Sequence, residues 1–122
     1  FPNAAGMKGG VVFRNCEDCT LSALHINGVQ QAPAGLSVAD CRRMNITGCS
    51  ILDCNNVGLF LENVTHSRVS DCLIRDDRED AESVSLKVAG GGDNMIINNA
   101  LSSPPDIYDH TGIVRDNVVN GR

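Results

Sequence analysis

The chain has 122 residues, 3% aromatic residues, no Trp and a formal net charge of −5. That is the size of one domain with an aliphatic core, and an acidic balance that argues against nucleic acid as a partner. No apolar run reaches the length of a membrane span, and none at helical spacing is long enough to compete with short β-branched clusters set between Gly, Asn and Ser, so brief strands are predicted throughout.

Residues 1–9 read as an irregular lead. With neither an initiating Met nor a secretory signal, Phe1-Pro2-Asn3-Ala4-Ala5-Gly6 is expected to be an internal cut or the start of a processed product. From Gly10 the chain repeats itself, so residues 10–122 are assigned to coils. The first unit runs through Val11-Val12-Phe13, a corner at Asn15–Cys19, and Leu21–Ile26. The second and third are the most alike: Gly35-Leu36-Ser37-Val38 matches Gly58-Leu59-Phe60-Leu61, and Asn45–Ile51 matches Arg68–Ile74, at a constant offset of 23 residues. The fourth begins at Val84-Ser85-Leu86, placed beside Leu59, and continues through Gly90-Gly91-Gly92-Asp93, read as a corner enlarged by two residues, to Ile96–Leu101. A fifth, shortened unit holds Ile107-Tyr108-Asp109 and Val114–Val119.

Strands this short, without hairpin turn signals, cannot pair inside their own unit. They can pair with the same strand one unit on, parallel and about 4.8 Å away. Self-similarity at this period marks a solenoid. The fold class is therefore all-β: a single-stranded right-handed parallel β-helix of about 4–5 coils of 23–27 residues, three short strands per coil. The recurring corner, an apolar residue, two small or polar ones, Asn or Cys, one more residue and another apolar one, resembles the β-helix of pectate-lyase-like proteins over residues 10 to 119. A structural ladder is read at Leu24, Cys49, Cys72, Asn99 and Asn117, a position where that family often stacks asparagines. A second file holds Cys16, Cys41, Val64 and Ala89.

The six cysteines fall mostly in these files and are expected to pack as reduced thiols, with Cys54 the most exposed. A disulfide between Cys16 and Cys41, or Cys49 and Cys72, is sterically allowed. Cys16-x-x-Cys19 has no second pair to complete a zinc site.

The resemblance implies a groove on the outer side of the first strand. Outward positions there are Val12, Ser37, Phe60 and Ser85, followed by Arg14, Ala39, Glu62 and Lys87. Glu62, Lys87 and Arg14 are the candidate catalytic residues, although Glu62 beside Lys87 also reads as a plain surface ion pair. Candidate binding residues are Phe60, Asp76, Asp77 and Arg78. In the acidic loop Arg75–Glu82, the candidates for Ca²⁺ are Asp76, Asp77 and Asp80, with Glu79 and Glu82 nearby. The interleaved arginines and unmatched calcium-loop spacing leave no cofactor as the expectation. Asp76-Asp77 resembles the paired aspartates of polygalacturonases, but that family's Asn-x-Asp and Gly-His-Gly are not found, so no catalytic role carries over. His25, His66 and His110 are read as surface histidines, and the two Asn-x-Thr sequences at Asn45 and Asn63 are assigned nothing.

The function implied is a carbohydrate-associated β-helix module, part of a larger lyase- or hydrolase-like protein, with this segment mainly structural. The alternative is a non-catalytic scaffold whose coil ends stack on other copies. Expected partners are a polysaccharide or oligosaccharide, further coils of a longer parent chain or another copy of this one, with no nucleic acid and no membrane. The fold analogy favours an extracellular or periplasmic setting.

Overall fold

The computed structural model describes residues 10–121. The expected lead over residues 1–9, and Arg122, lie outside the described residues. The first coil contributes β1 (Val11–Arg14), β2 (Thr20–Ser22) and β3 (His25–Asn27). The second contributes β4 (Leu36–Ala39), β5 (Asn45–Thr47) and β6 (Ser50–Leu52), and the third β7 (Val57–Glu62), β8 (Arg68–Ser70) and β9 (Leu73–Arg75). β10 (Val84–Ala89), β11 (Asn94–Ile97) and β12 (Ala100–Leu101) follow, then β13 (Asp106–Tyr108), β14 (Gly112–Arg115) and β15 (Val118–Val119). Like strands of successive coils join into three five-stranded sheets, ordered β1-β4-β7-β10-β13, β2-β5-β8-β11-β14 and β3-β6-β9-β12-β15, with every ladder parallel. The described residues contain no α-helix, and so none long and apolar enough to cross a membrane.

Alternation along each short strand sends one side chain inward, or at least two in the middle strands of the first sheet, where Leu36, Leu59 and Leu86 also stack, and the coil aligns the inward ones in columns. Phe13, Val38, Leu61, Val88 and Ile107 form one column; Leu21, Ile46, Val69, Ile96 and Val114 a second; Ile26, Ile51, Ile74, Leu101 and Val119 a third. In the middle coils these side chains are fully buried, Leu61 and Ile96 among them. The columns are the core, and with so few aromatic residues their aliphatic contacts supply most of the apolar burial.

Corners are set by backbone conformation. One column of left-handed residues runs Asn15, Asp40, Asn63, Gly90, Asp109; another Asp18, Arg43, His66, Asp93; a third Ala23, Gly48, Asp71, Asn98, Asp116. Asn, Asp and Gly dominate because they tolerate positive φ at least cost, which is why these types recur with the coil period.

The fourth coil differs from the sequence reading. Leu86, not Val84, pairs with Leu59, and Val84 pairs with Val57. The two extra residues therefore precede β10, in the loop after β9, and the glycine corner has ordinary length. Bridges Glu17↔Arg42, Arg42↔Thr65 and Thr65↔Gly92 put Gly91, rather than Ala89, in the column of Cys16, Cys41 and Val64. A Cβ on Gly91 would lie 2.1 Å from the Val64 carbonyl oxygen, so only glycine permits this approach. All six cysteines are free thiols. Cys54, expected to be exposed, is buried, because its sulfur fills the space left by Gly35, whose added Cβ would lie 2.7 Å from it. Cys16 and Cys19 are the partly exposed pair.

Candidate functional site

The shifted register rebuilds the outer face of the first sheet. Its leading row is Val12, Ser37, Phe60, Lys87 and Asp106; the row beside it is Arg14, Ala39, Glu62, Ala89 and Tyr108. Glu62 and Lys87 are therefore not registered neighbours: Ala89 lies next to Glu62, and Lys87 next to Phe60. Ser85, expected on the outer row, is buried, because its hydroxyl lies 3.1 Å from that of Ser102 and its N–H donates to Ser103 Oγ at 2.9 Å. Arg14 stands on the same face but three coils from Lys87.

In place of an acid–base pair the face carries an aromatic and cationic cluster. Lys87 Nζ lies 5.4 Å from the Phe60 ring centroid and 5.9 Å from that of Tyr108. At such distances the ammonium is attracted by the ring quadrupoles, by about 0.5–1 kcal/mol per exposed contact. Tyr108 remains 48% exposed. Sequence reasoning missed Tyr108. The signal that would have found it was the pairing of Ala89 with Tyr108, hidden while the fourth coil was placed two residues off.

The acidic loop joins β9 of the third sheet to β10 of the first, along the edge where the chain enters the first sheet. Asp76 is buried at 3% exposure and anchors Arg78, accepting from Nε at 2.8 Å and Nη2 at 2.6 Å, while Ser83 Oγ also donates to it. Arg78 Nη1 donates to Asn55 Oδ1 at 2.9 Å, and the Asp76 N–H donates to Ser102 Oγ at 2.9 Å. The Arg78 guanidinium, helped by the Ser83 hydroxyl, holds the Asp76 carboxyl down at about 2 against the opposing effect of burial. Asp77 instead takes Arg75, at 2.8 Å from Nη2. Loop and coil enclose a polar cleft of about 550 Å³, lined by Gln30, Asn55, Asn56, Arg78, Glu82 and Ser83 among others. Asp80 is exposed on its rim. Among the described residues, no group of three or more His, Cys, Asp or Glu could hold a metal.

The ladder position is a column of packing and hydrogen bonds. The Cys72 N–H donates to Asn99 Oδ1 at 3.0 Å, and Asn99 Nδ2 donates to Val69 O at 3.2 Å and to Asn117 Oδ1 at 2.9 Å. Asn117 Nδ2 in turn reaches Ile96 O at 3.0 Å. In the earlier coils Leu24 and the stacked thiols of Cys49 and Cys72 fill the same column; each thiol donates to backbone carbonyls, and the neighbouring Cys49 and burial together hold Cys72 protonated. His66 sits 3.5 Å from Asp93, and the partly buried His110 lies 3.1 Å from Asn94 Nδ2, where burial lowers its pKa. His25 is half-buried in β3.

A family model described as a right-handed beta helix region matches residues 4–121. No curated protein and no solved structure matches the chain.

Proposed function

This chain belongs to the right-handed beta-helix family, and from that premise we propose that it is a carbohydrate-associated module of a larger polysaccharide lyase- or glycoside hydrolase-like protein. Its solenoid is a structural module. The face we assign to a glycan is the outer side of the first sheet, and the observation that carries the reading is Lys87 between Phe60 and Tyr108. Aromatic faces stack on the C–H faces of sugar rings, and an ammonium held over them is placed to meet a carboxylate on the same sugar. Acidic, uronate-type polymers are therefore favoured over neutral ones. The polar cleft beside Arg78 extends the same edge with amide and carboxylate groups suited to sugar hydroxyls. The role we assign to this segment is binding and support within the larger protein.

The test is a screen of uronate-rich and neutral polysaccharides for binding and cleavage, with and without Ca²⁺. Retention on uronate polymers without turnover is expected. Absence of binding to every polymer would refute the glycan reading.

A second reading, a self-assembling scaffold, is favoured by one observation. Val114 and Val119 continue inward columns, yet are 38% and 41% exposed, and β13, β14 and β15 each have an unpaired parallel edge. Another copy of the chain, or further coils of a longer parent protein, stacking there would bury them. Light scattering tests it: mass rising with concentration supports stacking, and a monomer at high concentration rejects it.

A further inference from the structure

The second sheet carries a different kind of cluster, on a side of the coil the first-sheet face does not use. Arg43, His66 and Asp93 stack as one corner column, and Asn45, Arg68 and Met95 as the neighbouring strand row. Between them lies a shallow groove of about 490 Å³, floored by Met44 and Ser67. Both arginines are oriented through Nε alone. Arg43 Nε is held by Asp18 Oδ1 at 2.8 Å, and Arg68 Nε donates to Asn45 Oδ1 at 3.2 Å, on the preceding coil and two residues from Arg43. Among the described residues, the terminal nitrogens of both make no hydrogen bond, which leaves them to solvent or a ligand. Asp93 is the only carboxylate in the groove lining, and it sits against His66.

The groove lining thus sets two arginines against one carboxylate, on a chain whose net charge is −5, while Asp18, which holds Arg43, stands outside the lining. The two guanidinium forks rise from different rows and different coils, and both line the groove. A carboxylate satisfies a single fork, whereas a tetrahedral oxyanion offers oxygens to both. We propose that the groove between Arg43 and Arg68 binds a sulfate or phosphate ester carried on a larger polar molecule. His66 also lines the groove, with its Nε2 turned to Asp93, and the thioether and methyl of Met95, 36% exposed, give the ester's carrier an apolar edge to rest on. The proposal is independent of the first-sheet glycan face, so either can fail alone.

The experiment is an amide NMR titration of the chain with sodium sulfate, sodium phosphate, a sulfated monosaccharide and a phosphorylated monosaccharide. Sodium chloride at equal ionic strength serves as the control. Saturable shifts confined to residues 43–45, 66–68 and 93–95 are expected, with at least one ester binding more tightly than its free ion; which ester does so identifies the oxyanion. The double variant Arg43→Gln/Arg68→Gln should weaken that binding tenfold or more, while Arg115→Gln, distant on the fifth coil, leaves it unchanged. Since both arginines are exposed, circular dichroism should show the variants folded. Equal shifts with chloride, or full affinity in the double variant, would overturn the proposal; so would weaker binding of both esters than of the free ions.

Discussion

Lys87 lies directly over Phe60 on the adjoining coil, its ammonium 5.4 Å from the ring centroid, and not over Glu62. This single pairing decides what the first-sheet face can do. With Glu62 as its neighbour, Lys87 would belong to an exposed ion pair of small energetic weight. With Phe60 beneath and Tyr108 diagonally above, it belongs to a platform that offers ring faces and a positive charge together.

Leu61 is fully buried in the central inward column, between Val38 and Val88. Leu61→Ala should cost about 2–5 kcal/mol by loss of transfer energy and by the cavity left behind. Urea denaturation measures it, and a near-neutral result would mean the inward and outward faces are exchanged.

Two adjacent glycines separate backbone strain from steric contact. Both have positive φ, 69° at Gly90 and 81° at Gly91, but a Cβ at Gly90 meets nothing within 4 Å, whereas at Gly91 it would lie 2.1 Å from the Val64 carbonyl oxygen. Gly90→Ala should cost about 1–2 kcal/mol, the ordinary penalty of a left-handed alanine. Gly91→Ala should cost several times more, since backbone must move. Equal thermal shifts for the two variants would contradict the corner register.

The coil repeat, the three strands and the inward columns were legible because Gly35–Ile51 and Gly58–Ile74 state the pattern twice at one offset. The fourth coil was misplaced for a definite reason. Val84, Leu86 and Val88 alternate with Ser85 and Lys87, so moving the strand by two residues leaves its inward and outward faces unchanged. What distinguishes the two registers is tertiary: a Cβ on Gly58 would lie 2.7 Å from the Ser85 carbonyl oxygen, a closeness that requires Gly58 and Ser85 to be neighbours. Cys54 was misjudged in the same way, since adjacent Asn55-Asn56 suggested an exposed turn while the missing side chain of Gly35 made room inside.

Asp76 makes stability depend on acid pH. Its carboxyl titrates at about 2 in the folded chain, below the value of about 3.9 for an unperturbed Asp. A depressed carboxylate stabilises the fold above its unfolded pKa and loses that contribution as pH falls through the folded one. The loss should therefore fall between about pH 4 and pH 2 and amount to about 1–2 kcal/mol, allowing for the partial exposure of Arg78. Asp76→Asn should be less stable at pH 7 and lack this step. An unchanged pH profile in the variant would disconnect Asp76 from loop stability.

Asn99 accepts from the buried Cys72 N–H and donates upward and downward along its column. Asn99→Leu should fit sterically, as Leu24 does in the first coil, yet leave that N–H without an acceptor. The expected cost is about 1–3 kcal/mol by chemical denaturation. A stabilised variant would show that the ladder is packing alone.

The most direct test of the glycan reading is the affinity of an oligouronate for the chain and for its Phe60→Ala/Tyr108→Ala and Lys87→Gln variants, measured by calorimetry. The aromatic double variant should abolish detectable binding. Lys87→Gln should weaken the acidic ligand about tenfold, or ~1.4 kcal/mol, with little effect on a neutral oligosaccharide. Undiminished oligouronate affinity in the folded double variant would contradict it.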